Sequence, residues 1–204
     1  MAAGAAPAEL WLYALQRLTA AVAHELRNPL NVVSLNLEVL RGRVSRAHGD
    51  VVSLTGFAEA AAAELGVAIR LTDALLAVAR PVRVPVEVSS ALVPIATLAR
   101  AVALAQGGSL VVTLPDSVPP TVPLAGEAVR GALAAVLFEA VQGGDAVRCE
   151  AVYERDAVVV EVVGEKEFVL PDGLAVSIEA CGIAVQAVPR GIALRMPRDD
   201  VATR

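Results

Sequence analysis

Apolar residues recur along the first part of the chain, up to about Arg80, at the spacing of helices that pack on other helices. Steps of four and three residues alternate along one run: Leu26, Leu30, Val33, Leu37, Leu40 and Val44. Such a heptad seam indicates a coiled coil or a helical bundle. The pattern predicts one helix from about Pro7 to Val44 and a second from about Val51 to Ala79.

The two helices are joined by the short segment RAHGD, residues 46–50. Gly49 is a candidate helix stop, Asp50 a candidate N-cap, and Pro81 ends the second helix. A connection this short requires the helices to lie antiparallel. Two helices alone leave apolar faces uncovered, so we expect a homodimer that forms a four-helix bundle.

The sequence pattern changes near residues 80 to 85, where prolines and short valine-rich runs begin. Alternating and helical patterns predict strands at 84–88, 109–114, 146–153, 157–163, 183–188 and 191–196, and helices at 89–105, 125–141 and 173–180. We therefore predict an α+β fold with two domains. A helical hairpin spans 1–81, and an α/β sandwich with its helices on one face of a mixed sheet spans 82–204.

Composition and charge exclude several classes of function. The chain has 204 residues, 56% of them hydrophobic, and a net charge of -5 without a basic stripe, which argues against nucleic-acid binding. Charged residues interrupt each apolar window before it reaches the length of a membrane-spanning helix, and the N-terminus does not resemble a signal peptide. Cys149 and Cys181 are too far apart to form a metal motif or a disulfide framework. We expect a cytoplasmic protein that does not span a membrane.

One histidine lies in the middle of the first predicted helix. At about 100° per residue, His24 falls roughly 160° from Leu26 and so faces away from the seam. Asn28 and Asn31 share this outward face, and Glu25 adjoins it. An exposed histidine is often only a surface residue, and the helical geometry by itself leaves that interpretation open.

The neighbours of His24 also suggest chemistry. A neutral imidazole is a nucleophile, Glu25 could accept or orient its proton, and Asn28 could position a water or a phosphoryl oxygen. Pro29 removes one helical hydrogen bond, which predicts a local bend beside the histidine. Zinc chemistry is disfavoured because Asn28 stands where a zinc-protease helix has its second histidine, and His48 is expected at the hairpin tip. We expect no metal site on this chain.

The octapeptide HELRNPLN, residues 24–31, resembles the H-box of bacterial sensor histidine kinases. In that family the motif lies on the first helix of a dimerisation and histidine-phosphotransfer hairpin. The resemblance covers both predicted helices, up to about Arg80. It implies that His24 is the phosphoacceptor, that Glu25 is the acid/base partner, and that Asn28 serves when such proteins dephosphorylate a partner.

The second region resembles the ATP-binding domain of the same family in the order of its elements, but its nucleotide motifs are missing. Ala135 and Glu139 stand where the family pattern N-L-L-x-N-A has its two asparagines, the second of which holds Mg²⁺. The segment VVGEKEF lacks the Asp-x-Gly pair, and LPDGLAVSIEA is too short for a nucleotide lid. Phosphate binding needs glycine backbone donors and a metal ligand. We therefore expect a degenerate domain without ATP or any other cofactor.

Together these features resemble the small dimeric histidine phosphotransferases of phosphorelays. That resemblance implies that His24 carries a phosphoryl group between response-regulator receiver domains, which supply the Mg²⁺. Docking is expected on the outward face, which adds Asn31, Leu35 and Glu38. Three alternatives stay open: a pseudo-kinase or phosphatase acting on a response regulator, a divergent true histidine kinase core, and a non-enzymatic module that sequesters a partner.

Overall fold

A computed structural model describes residues 5–45, 51–80, 84–171 and 173–198 of the chain. Its first two elements are long helices, α1 (Ala5–Ser45) and α2 (Val51–Ala79), which pack against each other. The heptad pattern predicted both helices to within two residues. Helix α1 continues through Pro29 and, with 41 residues, is about 60 Å long. The predicted turn features Gly49, Asp50 and His48, and the predicted stop at Pro81, lie outside the described residues.

The second region contains short strands and helices. In chain order they are β1 (Val86–Glu87), α3 (Val88–Ala105), β2 (Ser109–Thr113), β3 (Thr121–Val122), α4 (Gly126–Val141), β4 (Ala146–Tyr153), β5 (Ala157–Gly164), α5 (Leu174–Glu179), β6 (Ala184–Val188) and β7 (Gly191–Pro197). Two of these differ from expectation. Strand β1 is shorter than predicted, and β3 was not predicted because it lies in a proline-rich loop. These two pair with each other as a small antiparallel sheet.

The main sheet has five strands in the order β2-β4-β5-β7-β6. Strands β2 and β4 are parallel, and the other neighbours are antiparallel, so the sheet is mixed as predicted. Side chains alternate along β4, where Val147, Cys149 and Ala151 are buried and Arg148 and Glu150 are exposed. Because one set of β4 side chains is buried and the other is exposed, only one face of this strand is covered, which agrees with the predicted helices on a single face.

The lower half of the hairpin and the α/β region share one hydrophobic core. Helix α4 packs against the sheet and against α1, and of its sixteen residues only Glu127 and Glu139 are not buried. Helix α1 contributes one stripe of side chains at four-residue steps, all at most 3% exposed: Leu10, Ala14, Leu18 and Val22. The core therefore crosses the proposed division between residues 81 and 82. The domain boundary itself stays a prediction.

Helix α3 is the one helix in the described ranges that is long and apolar enough to cross a membrane. Half of its 18 residues are buried, and it packs against α4, α2 and β2. The interior position of α3 in the α/β region accounts for its apolar composition, since core helices are selected for the same residues.

Candidate functional site

The imidazole of His24 is exposed on α1, as the helical geometry predicts. His24 comes two residues after Val22, which is the last residue of the buried stripe on α1. Histidine at an exposed helical position can be reached by a partner protein and by water. Its chemistry therefore depends on the groups around it and on what approaches.

Glu25 and Asn28 lie one turn apart beside the histidine. The Asn28 amide donates a hydrogen bond of 3.4 Å to the Glu25 carboxylate, and this contact is solvent-exposed. Pro29, the next residue, is buried and cannot donate to the Glu25 carbonyl. One carboxylate, one amide and one imidazole thus occupy a single turn of α1, which can hold a water molecule or a phosphoryl oxygen next to the ring.

The predicted docking residues continue this surface along α1. Asn31, Leu35 and Glu38 are all exposed, and Leu35 presents 62% of its surface to solvent. At about 100° per residue each lies within about 40° of His24 around the helix axis. They form one stripe, but their role in docking stays a prediction.

Glu139, the residue at the position of the family's metal-holding asparagine, is paired with an arginine from the hairpin. Arg17 of α1 places its Nη2 atom 2.9 Å from Glu139 Oε2. That buried oxygen accepts no well-formed hydrogen bond from the described residues, so opposite charge is the main attraction. Arg17 also donates a hydrogen bond of 2.8 Å to the Tyr13 hydroxyl. The carboxylate at this position is therefore already matched by a cation of the same chain.

A second arginine, Arg130 of α4, contacts both helices of the hairpin. Arg130 is 3% exposed, and its guanidinium donates hydrogen bonds to the carbonyls of Val78 and Arg80 at the end of α2. The same group lies 4.6 Å from the centre of the Trp11 ring of α1. Burial lowers the pKa of Arg130, and the nearby Glu127 carboxylate opposes that shift. Arg130 thus links α4 to both helices of the hairpin.

Sequence reasoning did not identify Arg17, Arg130 or Trp11. A signal was present, because Arg130 interrupts the otherwise apolar run AVRGALAAVLF. A charge inside a buried helix requires polar partners, and here those partners are helix-terminal carbonyls that no motif predicts.

A cavity of about 480 Å³ lies between the start of α1 and the short helix α5, in the segment where the family's lid would follow β5. Its described lining contains no lysine or arginine, and Glu9 supplies a carboxylate. The lining is mostly apolar, with Leu10 and Leu174 on its walls. Phosphate groups need cationic or backbone donors. The described lining of this cavity therefore offers no side-chain cation to a phosphate group.

No group of three or more histidine, cysteine or acidic residues that could hold a metal ion occurs in the part of the chain that the structure describes.

Comparisons with known proteins identify the hairpin. Residues 14–81 match the sequence model of the His Kinase A (phospho-acceptor) domain. No curated protein sequence matches the chain. The matched range includes His24, all of α2 and α1 from residue 14 onward.

Solved structures that resemble the chain include histidine kinases and a phosphotransferase. The histidine kinase AdeS of Acinetobacter baumannii is 14% identical, with a TM-score of 0.45, over 86% of this chain and 98% of that chain. A histidine kinase from Burkholderia phymatum STM815 is 17% identical, with a TM-score of 0.45, over 90% and 97%. A bacterial phosphotransferase is 15% identical, with a TM-score of 0.43, over 91% and 96%.

The chain thus has two parts: a helical hairpin that carries an exposed histidine and matches the phospho-acceptor domain over residues 14–81, followed by an α/β region. The sequence match supports a phospho-acceptor hairpin; it covers residues 14–81 and does not extend into the α/β region.

Proposed function

We propose that this chain is a histidine phosphotransfer protein that receives phosphoryl groups on His24 without binding ATP. Its donors and acceptors are receiver domains of response regulators, which contribute the Mg²⁺, and it works in the cytoplasm as a homodimer. The observation that carries the proposal is the contrast between two sites: His24 is open to partners, whereas Glu139 is paired with Arg17.

The chemistry of the transfer is an in-line displacement at phosphorus. The lone pair of His24 Nε2 attacks the phosphorus of an aspartyl phosphate, and a P–N bond forms. The P–O bond to the aspartyl carboxyl group breaks, and its electron pair stays on the carboxylate. Glu25 takes the proton that the ring gives up at Nδ1. Transfer to a second receiver reverses these steps.

Three features of the second region support the absence of ATP binding. The glycine-rich motifs are missing from the sequence, Glu139 replaces the neutral metal-holding amide, and the cavity beside α5 lacks basic residues in its described lining. A carboxylate next to a triphosphate would repel it unless a metal ion intervened. These features all oppose an autokinase reaction.

The test compares two phosphoryl donors. The protein is incubated with radiolabelled ATP alone and then with a phosphorylated receiver domain. We expect acid-labile label on His24 only in the second reaction, and none in a His24→Gln variant. Label from ATP alone, or millimolar nucleotide binding in calorimetry, would contradict the proposal.

A phosphatase is the second candidate function, and the contact between Asn28 and Glu25 favours it. An amide and a carboxylate on one exposed turn can orient a water molecule toward a receiver's phosphoryl group. In that case phosphate is released while His24 stays unlabelled, and Asn28→Ala slows the release about a hundredfold. Asn36→Ala is the matched control, because the Asn36 side chain bonds to the backbone of its own helix.

A further inference from the structure

The cavity between the start of α1 and α5 has the size of a ligand-binding site. Its volume of about 480 Å³ lies within the range of roughly 300–1,000 Å³ that small-molecule sites occupy. One wall is formed by the first turns of α1, and the other by α5 with the residues just before it. These walls come from distant parts of the chain and contact each other, so the cavity exists only because the hairpin and the α/β region pack together.

Most of the lining is apolar. Leu10 of α1 and Leu174 of α5 form buried walls of the cavity, and Ala6 and Pro171 add further apolar surface. Val176 also lines the cavity but is 68% exposed, so the apolar wall continues to the opening. A molecule that fills this space therefore needs an apolar body, since its burial removes apolar surface of both partners from water.

Two hydroxyl groups in the lining have hydrogen-bonding capacity to spare. The Tyr13 hydroxyl accepts a hydrogen bond of 2.8 Å from Arg17, and its own hydrogen has no acceptor among the described residues. The Ser177 hydroxyl donates a hydrogen bond of 2.9 Å to the Gly173 carbonyl, which leaves the Ser177 oxygen able to accept one. The lining thus offers one donor and one acceptor to a ligand.

Charge selects the kind of polar group that the ligand carries. Glu9 lines the cavity, and its exposed carboxylate has no hydrogen-bond or ion-pair partner among the described residues. The described lining contains no lysine or arginine that could attract an anion. A carboxylate attracts a cation and repels an anion, and apolar surroundings strengthen both effects relative to bulk water. A cationic ligand therefore complements this cavity.

We propose that the cavity binds a small apolar amine in its protonated form. The apolar body lies between Leu10 and Leu174, and the ammonium group donates hydrogen bonds to the Glu9 carboxylate and the Ser177 oxygen. An ammonium group has only donors, which matches these two acceptors. Glu9 precedes His24 by fifteen residues, or about 22 Å along α1. The amine site is therefore separate from the phospho-acceptor site and does not depend on the proposed function.

The test compares three probes that share a naphthalene body and differ in charge: naphthylethylamine, naphthylethanol and naphthylacetate. Near pH 7 the amine is protonated, as a lysine side chain is, and the acetate is ionised. Titration calorimetry with the full chain measures each dissociation constant. We expect the amine to bind about fivefold more tightly than the alcohol, as for an ion pair in contact with solvent, and the acetate to bind most weakly.

Two variants locate the site. Glu9→Gln keeps the shape of the side chain but removes its charge, so it should bind the amine no more tightly than the alcohol and leave alcohol binding unchanged. Glu59→Gln is the matched control and should keep the preference, because Glu59 is an exposed glutamate of α2 outside the described lining. Ala180→Trp places bulk in the cavity, at the end of α5 where the backbone is right-handed, and should abolish binding of all three probes.

Equal affinities of the wild-type chain for the amine and the alcohol would overturn the proposal, as would an amine preference that survives in Glu9→Gln. Binding that persists in a folded Ala180→Trp variant would also overturn it, and so would the absence of binding by all three probes at millimolar concentration. Urea unfolding shows whether Ala180→Trp folds, and Glu9→Gln tests the proposal without that variant. No phosphoryl donor is present, so this outcome is separate from the test of His24.

Discussion

At the scale of single residues, the exposure of one face of α1 changes along the helix. Leu10, Arg17, His24, Asn31 and Glu38 follow one another at seven-residue intervals and share one helix face. The first two contact α4, whereas the last three are exposed. The same stripe is thus a packing surface up to Arg17 and a solvent-exposed surface from His24 onward.

The two cysteines should differ in reactivity because they differ in burial. Burial raises the pKa of Cys149 to about 12, an effect that the positive charge of Arg100 only partly offsets. Burial also raises the pKa of Cys181, but this side chain is partly exposed. Because the thiolate reacts, iodoacetamide at pH 8 should modify Cys181 first and leave Cys149 intact until the protein unfolds. Peptide mass spectrometry measures both sites, and equal rates would contradict the burial of Cys149.

The Cys149 thiol also gives stability a defined dependence on pH. Its pKa is higher in the folded chain than in the unfolded chain, so folding favours the protonated thiol. This contribution is fully present below the unfolded pKa of about 8.5 and is lost as pH rises toward 12. A Cys149→Ala variant should therefore lose less stability than the wild type between pH 9 and pH 11 in urea unfolding. Parallel curves for the two proteins would contradict this.

At the scale of elements, the interface between α1 and α4 depends on a residue without a side chain. A methyl group on Gly131 would meet Leu10 Cγ at 2.9 Å and the Trp11 backbone nitrogen at 3.1 Å. Gly131→Ala should therefore destabilise the protein by about 1–3 kcal/mol, measured by urea unfolding.

Gly56→Ala in α2 is the matched control for Gly131→Ala. Nothing lies within 4 Å of the added methyl group, so helix propensity should stabilise the protein by about 0.5–1 kcal/mol. Two substitutions of the same chemistry should thus have opposite signs. Equal effects would show that α1 does not approach α4 this closely.

Arg130 should be the polar residue on which the junction of the two regions depends most. Arg130→Met keeps most of the side-chain volume but leaves the Val78 and Arg80 carbonyls without their donor. We expect a loss of about 1–3 kcal/mol, since a buried carbonyl without a hydrogen bond is costly. Arg148→Met, on the exposed face of β4, should change stability by less than about 0.5 kcal/mol. Similar losses in both variants would argue against a special role of Arg130.

At the scale of the whole molecule, the sequence predicted the elements and the exposure of His24 but not the contacts between the two regions. Periodicity predicted α1, α2 and the strands of the main sheet, because the repeats of helices and strands are local. The exposure of His24 followed from the helical step of about 100° per residue. Pairing of β1 with β3 and of Arg17 with Glu139 joins residues far apart in sequence. Such contacts depend on packing, which no local pattern records.

The hairpin leaves large apolar side chains uncovered in a single chain. Both helices contribute, and each of these side chains is at least 44% exposed: Leu30, Leu37 and Val44 on α1, and Leu65 and Ile69 on α2. Exposed apolar surface of this extent marks an interaction site. Leu30, Leu37 and Val44 belong to the predicted heptad seam. In a homodimer, the seam of one hairpin would pack against the same seam of the second copy.

Leu37→Glu should therefore convert a dimer into a monomer. A chain of 21.0 kDa should sediment as a dimer of twice that mass, and a carboxylate in the paired seam would be buried without a partner. Leu104→Glu is the control, because Leu104 is 76% exposed at the end of α3 and belongs to neither helix of the hairpin. We expect the control to stay dimeric. A wild-type chain that is monomeric at micromolar concentration would contradict the four-helix bundle, and His24 would then have to work on a single hairpin.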